Sequence, residues 1–160
     1  MHSPTRVMFF CLGNICRSPL AHGIFEDHIA QQQEEDRWHI ESSGTSAYHV
    51  GEAPDPGSQR VATQHGIHIG AQRAQQLTTH HIETFDYLIA MSRSNLEAAR
   101  KICPPEHEHK LLLVRDFEPT PHNADDVPDP WGHGDDAFEE VFSILSQCIS
   151  PLYQHMTNDK

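Results

Sequence analysis

Cys11 and Arg17 stand six positions apart in the run Cys11-Leu12-Gly13-Asn14-Ile15-Cys16-Arg17-Ser18-Pro19, and their chemistry depends on what flanks them. Val7-Met8-Phe9-Phe10 reads as a buried strand, and Pro19 suits the first turn of a helix whose apolar face is Leu20, Ile24 and Phe25. A loop between the two aims backbone N–H groups and the positive end of the helix at one place. There a thiol is favoured as thiolate, which makes Cys11 a candidate nucleophile. Arg17 offers a planar fork that matches two oxygens of a phosphate, and the loop amides can take the others. The chemistry implied is in-line displacement at phosphorus with a cysteinyl-phosphate intermediate, in which positioning and charge stabilisation supply most of the rate. Gly13 permits close backbone approach, Asn14 can pin the loop through its side chain, and Ser18 can donate to the sulfur. A cysteine that ends a strand more often only packs in a core, and a bare C-x5-R spacing is common. The strand before it, the proline after it and the loop residues between them argue for catalysis.

A poor leaving group needs a proton, so the site needs an acid. Asp129 lies between Pro128 and Pro130, which restrict the backbone on both sides of it. Asp116, Glu118, Asp125, Asp126, Asp135 and Asp136 surround it in sequence and compete for the role. Without further information most of these acids are solvated surface.

The loop, together with Ser42-Ser43-Gly44-Thr45-Ser46-Ala47-Tyr48, Gly51, Pro54-Asp55, His65-Gly66-Ile67, Phe85-Asp86-Tyr87, Met91 with Ser94-Asn95-Leu96, and Val127-Pro128-Asp129-Pro130, resembles the low-molecular-weight protein tyrosine phosphatases across nearly the whole chain. The resemblance implies hydrolysis of phosphotyrosine or small aryl phosphates without a cofactor, with inorganic phosphate as product. It assigns Cys11 as nucleophile, Arg17 as phosphate clamp, and Asp129 as proton donor and then base for water. Leu12, Gly13, Asn14, Ile15, Cys16 and Ser18 form the phosphate loop, and Ser42 supports it. Tyr48 and Trp131 become the walls of a crevice deep enough to prefer phosphotyrosine over shorter phosphoserine, with His49 at the same rim. Each aromatic could equally be ordinary packing. Cys16 becomes a redox partner able to form a reversible disulfide with Cys11, or else packs beneath the loop.

Two residues depart from the family pattern. Ser92 stands where an aspartate often follows the methionine, and Ala71 where a histidine commonly joins the network that holds the loop asparagine. These departures imply a less rigid loop and lower activity. They also keep open a competing reading, a phosphotyrosine-binding module that has lost turnover. Among enzymes, protein arginine phosphatases carry a threonine where Ile15 stands, and arsenate reductases use a closely spaced cysteine pair. Cys103 and Cys148 are far apart in sequence and read as packing residues.

The elements that must position these groups alternate. Strands are expected near 6–11, 37–42, 86–91 and 110–114, and helices near 18–31, 56–65, 94–102 and 135–155. This predicts an α/β fold, a single domain over residues 1–160 with an open sheet of four parallel strands, helices on both faces and the phosphate loop after the first strand. Asp55-Pro56 reads as a helix start and Gly66 as a stop. The last helix carries Phe138, Val141, Phe142, Leu145, Cys148, Ile149 and Leu152 at core-facing spacing, with Pro151 expected to bend it. Residues 115–134 form one long loop with four prolines, and loops of such length are usually functional.

A net charge of −12 argues against nucleic acid as a partner. No apolar stretch reaches the ~18–20 residues of a membrane span, and the N-terminus lacks a signal-peptide pattern, which predicts a cytoplasmic protein. Four irregularly spaced cysteines suit a reducing compartment. The fourteen histidines include His65 with His68, His80-His81, and His107 with His109, none in a structural zinc pattern, so no metal is expected. A monomer is expected, with exposed aromatics near Trp131 allowing weak self-association.

Overall fold

The computed structural model describes residues 3–120 and 122–159. The two ends of the expected 1–160 domain and Pro121 of the long loop lie outside these described residues.

Four strands form one parallel sheet in the order β2-β1-β3-β4: β1 is Thr5–Cys11, β2 Trp38–Gly44, β3 Tyr87–Ala90 and β4 Leu111–Leu113. Phe9 pairs with Ser42 on one side and Ile89 on the other, and Cys11 pairs with Gly44. β1 is central and is therefore apolar at nearly every position rather than alternating. Its side chains divide between two cores. Val7, Phe9 and Cys11 point into the larger one, with α1 (Arg17–Gln31), α2 (Pro56–Gln64) and α5 (Asp135–Asn158); Met8 and Phe10 point into the smaller, with α3 (Thr79–Thr84) and α4 (Arg93–Arg100). Helices thus cover both faces of the sheet, as the alternating pattern predicts.

Phe25 anchors the larger core. Its ring lies 5.7 Å from Phe9, 5.3 Å from Trp38 and 6.3 Å from Tyr153, which joins α1, β1, β2 and α5. Burial of one such ring stabilises the fold by ~1.5–3 kcal/mol, and edge-on aromatic pairs add ~0.5–1.5 kcal/mol each. The start of α2 follows from Asp55, whose carboxylate accepts the Gly57 N–H at 2.8 Å, and its stop from Gly66 at a φ of +79°. α5 runs on through Pro151 to Asn158, three residues past its expected end. The sequence reading missed α3, a six-residue helix with a single buried apolar residue, Ile82, and so no detectable periodicity. The long loop begins with a short 3-10 segment, Val114–Phe117.

Candidate active site

β1 ends where Cys11 meets Gly44, and the chain then curls over that glycine before α1 begins. A Cβ on Gly44 would stand 2.7 Å from the Leu12 carbonyl oxygen and 3.0 Å from the Gly13 carbonyl carbon, so only glycine lets the loop descend here. The surrounding chain takes up the loop's carbonyls. Thr45 N–H donates to Cys11 O and Ser46 N–H to Leu12 O, both at 2.9 Å; Asp55 N–H donates to Ile15 O at 2.7 Å and the Ser58 hydroxyl to Cys16 O at 3.0 Å. Because a trans peptide sets its N–H opposite its C=O, the amides of Leu12, Gly13, Cys16 and Arg17 face the other way, toward the concave side of the loop.

Asn14 makes the sharpest bend, at a φ of +59°, a conformation asparagine tolerates better than most residues. Its Oδ1 accepts the Gln75 N–H at 3.0 Å and its Nδ2 donates to the Ser18 hydroxyl at 2.8 Å. The Ser18 oxygen lies 3.1 Å from the Cys11 sulfur. A second set of contacts supports the loop from below: His22 Nδ1 and the Ser42 hydroxyl are 3.2 Å apart, Ser42 donates to Gln72 Oε1 at 3.4 Å, and Gln72 Nε2 donates to Pro19 O at 3.2 Å.

Ala71 takes no part in these contacts; Gln72 beside it carries them to Ser42, and they do not reach Asn14, which is held by Gln75 and Ser18. Ser92 does more than its departure from the pattern suggested. It caps α4, accepting the Asn95 N–H at 3.2 Å, a task that serine performs as well as aspartate.

Arg17 is the first residue of α1 and is buried. Nη1 donates to the Val127 carbonyl at 3.0 Å, and Nη2 lies 4.0 Å from Asp129 Oδ2. The guanidinium thus joins the loop to the Asp-Pro segment across 110 positions of sequence. That segment is tied to the sheet: Val127 N–H donates to Met91 O at 2.8 Å, and Arg93 N–H to Asp126 Oδ1 at 2.8 Å. The half-exposed Asp129 carboxylate accepts the Trp131 N–H at 3.1 Å. Of the competing acids, Asp125 and Asp126 pair with Arg93, Asp135 with Arg60, and Glu118 with Arg115.

A cavity of about 460 Å³ opens above the loop, with Cys11, Gly13, Arg17, His49, Asp129 and Trp131 among its walls. Tyr48 is 84% exposed and Trp131 60%, so both stand at the mouth and neither packs in the core. His49 lies against Gly13 and its Nδ1 pairs with Glu52 at 3.0 Å. Ser46 also lines the cavity, a residue the sequence reading quoted within a motif without giving it a role. Leu12 is exposed at the lip, while Ile15 is buried.

Burial favours the protonated form of Cys16, Cys103 and Cys148. Burial, reinforced by the Asp55 carboxylate, pushes Cys16 well above the ordinary thiol range, and burial pushes Cys148 up to about 12. Cys148 faces the core from α5, and Cys103 packs against the smaller core, as expected. His65 stacks on Phe142 at 4.1 Å and His81 caps α3, which gives two of the sequence-adjacent histidines structural tasks.

Fold and site together define an α/β protein with a thiol and a guanidinium lining one cavity at the carboxyl end of a parallel sheet. The family model for low molecular weight phosphotyrosine protein phosphatase matches residues 6–160. The chain is 39% identical over 142 residues to the low molecular weight phosphotyrosine protein phosphatase of Saccharomyces cerevisiae, covering 88% of each. It is 32% identical over 154 residues to the low molecular weight protein-tyrosine-phosphatase YfkJ of Bacillus subtilis, covering 96% of this chain and 97% of that protein. The crystal structure of YfkJ superposes with a TM-score of 0.92 over 99% of this chain and 98% of that one. A protein tyrosine phosphatase structure from Entamoeba histolytica with Hepes in its active site gives 0.92 at 28% identity over 97% and 98% of the two chains. The chain belongs to the low-molecular-weight phosphotyrosine protein phosphatase family, a family of hydrolases. Among the described residues, no helix is long and apolar enough to cross a membrane.

Proposed function

We propose that the protein hydrolyses phosphotyrosine and related aryl phosphate esters through a cysteinyl-phosphate intermediate. The observation that carries this reading is that Arg17 and Asp129 come within 4.0 Å of each other at a cavity whose walls include Cys11. Arg17 and the inward-facing loop amides hold the equatorial phosphate oxygens while the Cys11 thiolate attacks phosphorus. The S–P bond forms as the P–O bond to the aryl group breaks, and Asp129 gives its proton to the departing oxygen. The Asp129 carboxylate then takes a proton from water, which attacks the cysteinyl phosphate, breaks the S–P bond and releases inorganic phosphate with Cys11 again a thiolate. Once the phosphate oxygens occupy Arg17, Asp129 faces the bound ester, the place from which the first step requires it to donate.

Tyr48 and Trp131 would flank the substrate ring, with His49 beside them, and the depth of the cavity favours a phenyl spacer over a shorter serine ester. Tyrosine-phosphorylated proteins and small aryl phosphates are the partners this reading names. Cys16 lines the same cavity; attack of its sulfur on a Cys11 sulfenic acid would give a disulfide and water, protecting the nucleophile from further oxidation. Four free thiols suit the cytoplasm.

The competing reading, a phosphotyrosine-binding module without turnover, is the other outcome of the test. The deciding experiment is hydrolysis of p-nitrophenyl phosphate in reducing buffer with chelator, comparing the wild type with Cys11→Ser, alongside acid-quench trapping of phosphorylated protein. Turnover and trapped phosphate in the wild type, both lost in the variant, are the expected result. Binding of an aryl phosphate by an inactive wild type would overturn it.

A further inference from the structure

Asp129 is aimed by a chain that can be followed backwards through two peptide units. The 127–128 unit has no N–H, since Pro128 follows, and its carbonyl accepts Arg17 Nη1 at 3.0 Å. The 126–127 unit is gripped at both edges. Its N–H donates to Met91 O, just past β3, and its carbonyl accepts Arg115 Nη1 at 2.9 Å, just past β4. A peptide plane held at both edges cannot rotate, and Pro128 and Pro130 leave the backbone little freedom beyond it. Its orientation therefore sets where the Asp129 carboxyl points.

Arg115 is itself held firmly. Nη2 meets both oxygens of Glu118 at 3.0 Å, in a pair whose side chains are 12% and 6% exposed. His122 closes the turn beside it. Because its Nε2 bonds the Arg115 carbonyl at 3.0 Å it carries the proton there, and its Nδ1 accepts the Ala124 N–H at 3.3 Å. The guanidinium Nε is buried without a partner among the described residues.

We propose that Arg115, locked by Glu118, is a positioning residue for the acid: it fixes the 126–127 peptide unit and thereby holds Asp129 over the leaving oxygen. The proposal rests on Asp129 being the acid. Arg115 touches neither the loop amides nor Cys11, and Arg17 keeps its own bond to the Val127 carbonyl, one peptide unit beyond the one Arg115 grips, so phosphate capture should be affected less than the acid.

The test is kcat/KM for a series of aryl phosphates from 2,4-dinitrophenyl to phenyl phosphate, measured for the wild type, Arg115→Met, Arg115→Lys, Glu118→Gln and Asp129→Asn. With a general acid contributing ~10²–10⁴-fold, Arg115→Met should lower the phenyl ester at least about tenfold and the dinitrophenyl ester less than about threefold. Inhibition by inorganic phosphate should stay within about twofold of wild type, since it reports the cradle. Arg115→Lys, which can still reach the Asp126 carbonyl, should recover part of the loss, and Glu118→Gln should reproduce it in milder form. In an Asp129→Asn background Arg115→Met should add no leaving-group selectivity. Equal losses across the series, or none, would overturn the proposal while leaving Asp129 as the acid. If Asp129→Asn itself shows no selectivity, the acid assignment fails and the proposal with it. Should Arg115→Met not fold, Arg115→Lys and Glu118→Gln decide by the same ratio.

Discussion

The Ser18 hydroxyl lies 3.1 Å from the Cys11 sulfur and 3.3 Å from the Ser43 carbonyl oxygen, and it has one proton to serve both. Asn14 Nδ2 donates into the same oxygen at 2.8 Å, and the asparagine cannot be reversed because its Oδ1 holds the Gln75 N–H. The hydroxyl proton is thus free to turn from the carbonyl to the sulfur when the sulfur carries charge. A hydrogen bond to a charged acceptor contributes ~1.5–3 kcal/mol. Ser18→Ala should therefore slow both iodoacetate alkylation of Cys11 and turnover by ~10–10²-fold. An unchanged alkylation rate in the variant would mean that Ser18 does not support the thiolate.

The loop was legible in the sequence because its parts are local: a strand, a glycine, an asparagine and a proline within nine positions. Asp129 was legible only through its two prolines and the resemblance, since nothing local separates it from the six acids around it. The structure separates them by place: Asp129 lines the Cys11 cavity and none of the six does, with Asp125 and Asp126 held at Arg93 and Glu118 at Arg115. What stayed hidden were contacts between distant segments, such as Arg115 with the Asp126 carbonyl, and elements too short to show a period, such as α3.

Gln72 makes a contact for which its sequence neighbourhood carries no signal. Its side chain ties Ser42 to the Pro19 carbonyl, whereas Ala71 makes no contact in the network. Gln72→Ala should lower kcat about three- to tenfold, the effect of one or two neutral hydrogen bonds at ~1 kcal/mol each. Ala71→His should leave kcat within about twofold, because Ser42 already has His22 and Gln72 as partners. Steady-state kinetics on p-nitrophenyl phosphate decides between the two positions, and a gain of activity in Ala71→His would show that position 71 lacks a member of the network.

Gly44 is the residue over which the whole loop folds. A methyl there meets backbone on three sides, at 2.7, 3.0 and 3.1 Å, so it cannot be accommodated by a side-chain rotation. Gly44→Ala should cost ~1–3 kcal/mol of stability and, by displacing the loop amides, ~10²-fold in kcat/KM. Urea denaturation measured beside the kinetics separates the two losses. Wild-type activity in a folded variant would show that the loop does not depend on this approach.

The four cysteines should differ sharply toward a thiol reagent. Cys16 is buried and its thiol is held up first by burial and then by the Asp55 carboxylate, so it stays protonated through the neutral range. Cys148 is pushed up to about 12 by burial, and Cys103 is raised for the same reason. Because a raised thiol remains unreactive until the pH approaches its shifted value, brief iodoacetamide treatment at about pH 7 should label Cys11 alone. Peptide mapping by mass spectrometry reads this directly, and saturating inorganic phosphate should protect Cys11. Substantial labelling of Cys16 in folded protein would contradict its protonated, buried state.

His81 makes a capping box of unusual composition at the start of α3. Its N–H donates to the Thr78 hydroxyl at 3.2 Å, and its ring Nδ1 accepts the Thr78 N–H at 3.1 Å, a place more often taken by glutamate or glutamine. Burial lowers its proton affinity; the Glu41 carboxylate opposes this, while His80 and Arg6 reinforce it. Glu41 itself is held below the usual carboxylate range: burial alone would raise it, and hydrogen bonds from Gln75 and His39 outweigh that effect. With the folded form less ready to bind a proton than the unfolded chain, stability is complete above the ordinary histidine value near ~6.5 and is lost as pH falls through it. Protonation of Nδ1 also removes the acceptor, so the cap and the charge act in the same direction. Solvent screening at this half-exposed site keeps the effect below ~1 kcal/mol. His81→Gln retains an acceptor and cannot titrate, so its stability relative to wild type should rise between about pH 7 and pH 5 in parallel urea melts. A constant difference between the two proteins over that range would show that His81 does not couple the α3 cap to pH.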